Sequence, residues 1–180
     1  MVIQRMIDVI ESISESIGRI VAWLLLVMVM LICYDVAMRY LFQSGSVALQ
    51  ELEWHIFSLI FLLGAAYTFK HDGHVRVDVF YQSRFMSGRH RAMVDFIGGL
   101  VFLIPFCILV IVGSVPFIES AYNFSEGSPD PGGLPYRFVL KAAIPVGFFL
   151  LLLQGIAAML SSIQVLRAEK ELRSSQLGNK

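Results

Sequence analysis

Four long apolar segments, separated by short polar stretches, dominate the pattern of this chain. They cover residues 20–42, 52–69, 92–117 and 138–163. A bilayer has a hydrocarbon core about 30 Å thick, which takes roughly 20 helical residues to cross, so each segment is long enough to span a membrane. The segments are continuous, whereas strands of a membrane barrel would alternate polar and apolar residues. The pattern therefore predicts an all-α integral membrane protein with four transmembrane helices.

The first 18 residues have a different, amphipathic pattern. Four isoleucines recur at helical spacing: Ile3, Ile7, Ile10 and Ile17. Charged residues take the other faces, which is typical of a helix that lies in the membrane interface. The alternative is a cytoplasmic helix packed on a partner protein. The predicted organisation is an interfacial helix over residues 1–18, a membrane domain over 19–165 and a cytoplasmic tail over 166–180.

The distribution of Lys and Arg orients the predicted spans. Three of the 14 basic residues lie on one side of the membrane, at the end of the first span or at the start of the fourth: Arg39, Arg137 and Lys141. The others fall in the N-terminal segment, in the connection between the second and third spans, and in the C-terminal tail. Cytoplasmic loops of membrane proteins are enriched in Lys and Arg, so both termini and the middle connection are predicted to be cytoplasmic. This N-in/C-in arrangement requires an even number of spans, which agrees with four.

Composition narrows the class of function. Hydrophobic residues make up 57% of the 180 positions and the formal net charge is zero, so bulk electrostatics indicate no nucleic-acid partner. Four spans leave no room for a soluble catalytic domain. The sequence has no phosphate-binding loop and no Ser/His/Asp set, and its two cysteines lie unpaired within apolar runs. We therefore expect no enzymatic activity and no cofactor.

Charged residues at the ends of the first two spans are the main candidate functional residues. Asp35 and Arg39 are four residues apart, so they share a helix face and can form an ion pair. Glu51, Glu53 and His55 begin the second span on the same side of the membrane. Glu51 can reach His55, and either acid can meet Arg39 across a short hairpin. A structural cluster is favoured over a proton relay, because the second span has no Asp, Glu, His, Lys or Arg between His55 and Phe69.

The connection after the second span contains a second polar cluster. His71, Asp72, His74 and Asp78 could in principle bind a metal ion. Their spacing matches no strong zinc signature, however, and Arg76 lies among the candidate ligands. A metal site is therefore disfavoured.

These observations favour an accessory subunit over an independent transporter. Secondary transporters usually have broken helices and polar groups near the middle of the membrane, whereas the middle of these spans is apolar. Two alternatives remain open at this stage. One is an autonomous small transporter or channel, and the other is a membrane redox or enzyme subunit.

Several motifs resemble a known family, the small membrane subunit of tripartite ATP-independent periplasmic (TRAP) transporters. The most specific is GHVRVD at residues 73–78, which follows LGAAY at 63–67. Further similar features are RYLF at 39–42, the acids that open the second span, GLP at 133–135 and IPVG at 144–147. The resemblance extends from about residue 20 to residue 160.

The resemblance implies a function that the residue pattern alone does not. Such a subunit lies in the bacterial inner membrane and braces a large TRAP membrane subunit. A periplasmic substrate-binding protein delivers an organic acid, which the large subunit imports on an ion gradient, usually of sodium. The implied partners are therefore the large subunit, the binding protein and membrane lipids. The outer loop, residues 123–136, is the best candidate for touching the binding protein, although a plain connector is an equal alternative.

The resemblance also implies structural roles for the marked residues. Arg39, Glu51 and Glu53 would fix the outer ends of the first two spans. Four residues would fix the cytoplasmic turn at the lipid headgroups: Gly73, His74, Arg76 and Asp78. All are expected to act in folding or in subunit contact.

Overall fold

The computed structural model describes residues 2–71 and 88–177. Our expectations for Gly73, His74, Arg76 and Asp78 therefore lie outside the described residues. Within them, regular structure is entirely helical, and four helices are long and apolar enough to cross a membrane. The predicted all-α membrane class with four spans is confirmed.

The helices follow one another along the chain with short connections. Helix α1 covers Val2–Leu41, α2 covers Val47–Lys70, and α3 covers Gly88–Gly98. A π-helical turn, Gly99–Leu103, joins α3 to α4, Ile104–Asn123. The last helix, α5, covers Arg137–Leu177. Residues 42–46 and 124–136 therefore connect the helices at one end of the bundle, which we call the hairpin end. The other end, which carries both chain termini, is the terminal end.

Helix α1 differs from the sequence-based organisation. We assigned residues 1–18 and the first span to separate elements, and Val2–Leu41 is a single helix of 40 residues, or about 60 Å at 1.5 Å per residue. The segment contains no proline, and Gly18 stays helical because it packs against the ring of Tyr67. Where residues 2–18 lie relative to lipid stays a prediction.

The π-helical turn interrupts the third span directly before Pro105. Proline lacks an amide hydrogen, and its ring crowds the carbonyl of the preceding turn. A local widening of the helix accommodates both effects. Pro116 and Pro145 lie inside α4 and α5 without ending either helix.

Helix α5 is the centre of the bundle. Of the most apolar stretch of 18 residues in α5, 33% is buried inside the protein, against 6% in the corresponding stretch of each of the other three spans. Its small residues allow the neighbouring helices to approach closely. Gly147 packs against the backbone of Leu62 in α2, and Gly155 packs against Leu103. Small residues at helix contacts are the usual way in which membrane helices pack.

The contact between Gly147 and α2 yields a stability prediction. A Cβ added at Gly147 would lie 2.7 Å from the carbonyl oxygen of Leu62, a backbone atom that cannot rotate away. Gly147→Ala is therefore expected to destabilise the protein by about 1–3 kcal/mol, as overpacking does. The change is measured as a lower midpoint of thermal unfolding in detergent.

Gly113→Ala is the matched control. A Cβ at Gly113 meets nothing within 4 Å, so the same substitution gains helix propensity without a clash. Equal unfolding midpoints for the two variants would contradict the assigned packing of α2 on α5.

Candidate functional site

The hairpin end is organised around the carboxylate of Glu51. Glu51 lies in the second turn of α2 and is only 5% exposed. Its Oε2 accepts a hydrogen bond from the backbone N–H of Leu134 at 2.6 Å, and its Oε1 accepts from Arg137 Nη2 at 3.2 Å. The hydroxyl of Ser128 also donates to Oε1. One side chain of α2 thus fixes the α4–α5 connection and the start of α5.

The α4–α5 connection, residues 124–136, is itself well ordered by hydrogen bonds. The Ser128 N–H donates to Leu134 O at 3.0 Å, and the Arg137 N–H donates to Glu126 O at 3.0 Å. Gly133 lies so close to Ser128 and Glu51 that an added Cβ would be 2.7 Å from Glu51 Oε2. We call residues 124–136, together with the Glu51 carboxylate that holds them, the anchored loop.

Two residues, one near each end of the anchored loop, adopt a left-handed backbone conformation. Ser125 has φ 47° and Tyr136 has φ 63°, conformations that cost non-glycine residues free energy. These conformations turn the chain out of α4 and into α5, so that the Leu134 N–H faces Glu51. The hydrogen bonds to Glu51 offset the free-energy cost. Phe124 and Tyr136, at the two ends of the loop, remain 82% and 64% exposed.

Two cations reinforce the anchored loop from α5. Lys141 Nζ lies 2.5 Å from Glu126 Oε2 and 3.8 Å above the centre of the Phe117 ring. The guanidinium of Arg137 lies 5.6 Å from the centre of the Trp54 ring. Both positions pair a charge near the end of a span with an acid and with an aromatic face, which reduces the cost of holding it there.

The α1–α2 hairpin has its own polar cluster. Asp35 is buried, 2% exposed, and forms an ion pair with Arg39 one turn further along α1. The Gln50 carboxamide lies against the Arg39 guanidinium, and with its oxygen turned towards that group it accepts from Nη1 at 3.2 Å and from Nη2 at 2.5 Å. Arg39 therefore joins the last turn of α1 to the first turn of α2.

Two details of this cluster differ from the sequence-based expectation, and the expected contact of Glu51 with His55 is made through the backbone of Glu51. Arg39 meets Gln50 across the hairpin, where we expected Glu51 or Glu53. His55 Nδ1 lies 2.5 Å from the backbone oxygen of Glu51, because the Glu51 carboxylate faces the anchored loop. Glu53 Oε1 is buried, with no hydrogen-bond partner among the described residues.

A second set of polar contacts joins the helices at the terminal end. Glu15 Oε2 accepts from Lys70 Nζ at 3.0 Å and lies 3.1 Å from His71 Nε2. The hydroxyl of Ser14 donates to Gln154 Oε1 at 2.7 Å in a buried contact between α1 and α5. These contacts fix the first half of α1 to the end of α2 and to the middle of α5.

Sequence reasoning missed the partners of Glu51 and the contact between Ser14 and Gln154. Gln154 did carry a signal, because it interrupts the fourth apolar run with a carboxamide that needs a hydrogen-bond partner in lipid. Ser128 and Leu134 carried none, since a hydroxyl and a backbone amide in a loop are ordinary. Among the described residues, no group of three or more His, Cys, Asp or Glu is placed to hold a metal ion.

Comparison with known proteins places this architecture in a family. Residues 28–165 match the family model of the DctQ component of tripartite ATP-independent periplasmic transporters. A protein of Haemophilus influenzae with the provisional name "TRAP transporter small permease protein" is 31% identical over 140 residues, which is 77% of this chain and 85% of that protein.

The chain belongs to the DctQ family. It is thus a small subunit of a TRAP transporter, a multi-pass membrane protein that works in a complex with other TRAP components. The matched range of this DctQ-family chain includes the hairpin cluster, Glu51 and the anchored loop.

The hydrogen bonds of Glu51 yield the second prediction. Glu51→Gln replaces one acceptor oxygen by an NH₂ group that faces the donors of the anchored loop. Leaving a buried donor unpaired costs about 1–3 kcal/mol, so amide hydrogen exchange at Leu134 is expected to accelerate about tenfold or more. Hydrogen exchange followed by mass spectrometry of residues 125–136 measures the effect.

Glu119→Gln is the matched control, because Glu119 is an exposed acid of α4 on the same chain. It should leave exchange in residues 125–136 unchanged. Unaltered exchange in the Glu51→Gln variant would show that the carboxylate does not hold the loop.

Proposed function

We propose that this chain is the non-catalytic scaffold of a TRAP transporter. It would brace the large membrane subunit while that subunit imports an organic acid on an ion gradient, and a periplasmic binding protein would deliver the acid. The observation that carries the proposal is the pairing of polar side chains within the bundle. A subunit that moved a polar solute would need polar groups exposed along a path through its own spans.

The polar side chains named above mostly pair within one helix or between neighbouring helices. Asp35 is paired with Arg39, Glu51 with the anchored loop, and Ser14 with Gln154. The contacts of Asp35 and of Glu51 lie at the hairpin end, and Ser14 bonds Gln154 within the length of α5. Residues with apolar side chains fill the α2 stretch between His55 and Tyr67, apart from Ser58. Ser58 donates to the carbonyl of Trp54 within its own helix. This distribution supports a scaffold role.

Large apolar side chains cover the outside of the bundle. Trp23 is 70% exposed, Phe61 is 70% exposed and Leu109 is 69% exposed. In a membrane such surfaces meet lipid or the helices of another subunit, so they support a large TRAP subunit as the main partner. The charge asymmetry of the sequence favours cytoplasmic termini in the bacterial inner membrane. The anchored loop would then face the periplasm and the binding protein.

Reconstitution separates a scaffold from an autonomous transporter. Proteoliposomes are prepared with this chain alone, with the large subunit alone, and with both. Each is supplied with a sodium gradient and the cognate binding protein, loaded with an organic acid that raises its unfolding temperature. Uptake of the radiolabelled acid is expected only where both subunits are present. Uptake by this chain alone, or full uptake by the large subunit alone, would contradict the proposal.

A second experiment tests the anchored loop as the contact for the binding protein. Phe124→Ala removes an aromatic side chain that is 82% exposed. Truncating one of the few residues that dominate an interface costs about 1 kcal/mol or more. Affinity of the reconstituted complex for the binding protein is therefore expected to fall about fivefold or more. Surface plasmon resonance on nanodiscs measures it.

Phe61→Ala is the matched control, since Phe61 is also largely exposed, at 70%, but lies in the middle of α2. It should leave the affinity for the binding protein unchanged. Equal affinities for the Phe124→Ala variant and the unmodified complex would leave the loop as a plain connector.

A further inference from the structure

A cavity of about 800 Å³ lies at the terminal end, between the third span and α5. Its size falls in the range of small-molecule sites, roughly 300–1,000 Å³. The end of α2 and the first turns of α1 close one side, through Phe69, Lys70 and Glu11. The helix contacts that support the scaffold role do not explain why a cavity is present here.

The π-helical turn and small residues create this space. Gly98, Gly99, Gly155 and Ala158 all line the cavity. Gly99 touches Met159 and Gly155 touches Leu103, so α5 and the third span meet closely along one line. Beside that line the small side chains leave a gap. π-Helical turns are frequent at functional sites.

The lining changes from polar to apolar along the helix axes. Asp95, Glu11 and the pair Ser161 and Ser162 line the part nearest the terminal end. Phe102 and Phe106 line the part nearer the middle of the bundle, together with Gln154, whose carboxamide oxygen accepts from Ser14. Asp95 and Phe106 are eleven residues apart, or about 16 Å along the helix at 1.5 Å per residue. The cavity therefore has the polarity profile of an amphiphile.

The apolar part opens towards the membrane. Phe102 is 73% exposed and Phe106 is 54% exposed, although both line the cavity. A ligand can therefore enter sideways from the hydrocarbon, where lipid chains are the solvent.

The charged residues at the polar part of the cavity indicate the kind of headgroup that it can bind. Lys70 contributes an ammonium group with three donors, of which two bond Glu15 Oε2 and the backbone oxygen of Glu11, so that one is left for a ligand. Glu11 and Asp95 contribute carboxylates. Lysine can donate to a phosphate oxygen and a carboxylate can accept from an ammonium group. We propose that the cavity binds one membrane glycerophospholipid with a headgroup ending in a primary ammonium, its acyl chain along Phe102 and Phe106. This inference requires only that the chain lies in a membrane, and it does not depend on the proposed function.

Photolabelling tests the site. The probe is phosphatidylethanolamine with a diazirine near the end of one acyl chain, in nanodiscs that hold the full-length chain with its co-purified membrane partners. Labelling of residues 99–106 is expected to exceed labelling at Leu109 about fivefold, because Leu109 lies on the same span, is 69% exposed and does not line the cavity. Equal labelling would show ordinary lipid contact and would overturn the proposal.

Filling the cavity provides the specific variant. Ala158→Phe places a ring in the cavity, and Ser161→Phe does so at its polar part, so that one variant remains if the other fails to fold. Each is expected to lower labelling of residues 99–106 about fivefold. Ala22→Phe, the same substitution at an exposed residue of α1, should leave it unchanged. Unchanged labelling in a folded cavity variant would overturn the site.

The headgroup and the competing occupant are tested in the same assay. Phosphatidylglycerol with the same diazirine chain lacks the ammonium group, and its labelling of residues 99–106 is expected to be about fivefold weaker. Equal labelling would overturn the assignment of the headgroup. Crosslinks from a photoreactive residue at Ser161 to a peptide of another membrane subunit, in place of lipid, would show that a protein helix fills the cavity.

Discussion

A charge within a membrane span must be matched inside the protein, and this constraint shapes the hairpin end. Moving a carboxylate to the middle of a membrane helix costs roughly 2.5–3.5 kcal/mol on insertion scales, and burial without hydrogen bonds adds to that cost. Glu51 is matched by a backbone N–H, a hydroxyl and a guanidinium. Its partners come from the α4–α5 connection and the start of α5, so satisfying one carboxylate joins α2 to the second half of the chain.

The same constraint explains why the anchored loop can hold strained backbone. Ser125 and Tyr136 have positive φ, and such residues persist when their surroundings over-determine them. Here the hydrogen bonds of Glu51 and the ion pair of Lys141 with Glu126 hold the backbone in this conformation. A loop held at its middle and at both ends can present Phe124 and Tyr136 in fixed positions, which a free connector cannot do.

The sequence was sufficient for the class of fold because hydrophobic length is a property of each segment alone. The ion pair of Asp35 with Arg39 was likewise foreseeable, since both residues lie one turn apart on one helix. The partners of Glu51 were not, because Ser128 and Leu134 are more than 75 positions away and carry no local signal. The helical continuity of residues 2–41 was missed because amphipathic and fully apolar patterns were treated as separate elements. Both patterns fit one helix when its first half packs on α2 and α5, as Ser14 and Glu15 do.

The two ends of the bundle solve the problem of polar groups in lipid differently, and the difference bears on function. At the hairpin end, acidic and basic side chains form ion pairs and hydrogen bonds that join α2, α5 and the anchored loop. At the terminal end, Glu15 with Lys70 and Ser14 with Gln154 fix the helices, yet a cavity remains beside them. A rigid brace needs fixed helices, and it tolerates a cavity only if something fills it. A membrane lipid can do so without opening a water path, which makes the bound amphiphile compatible with a scaffold that carries no solute itself.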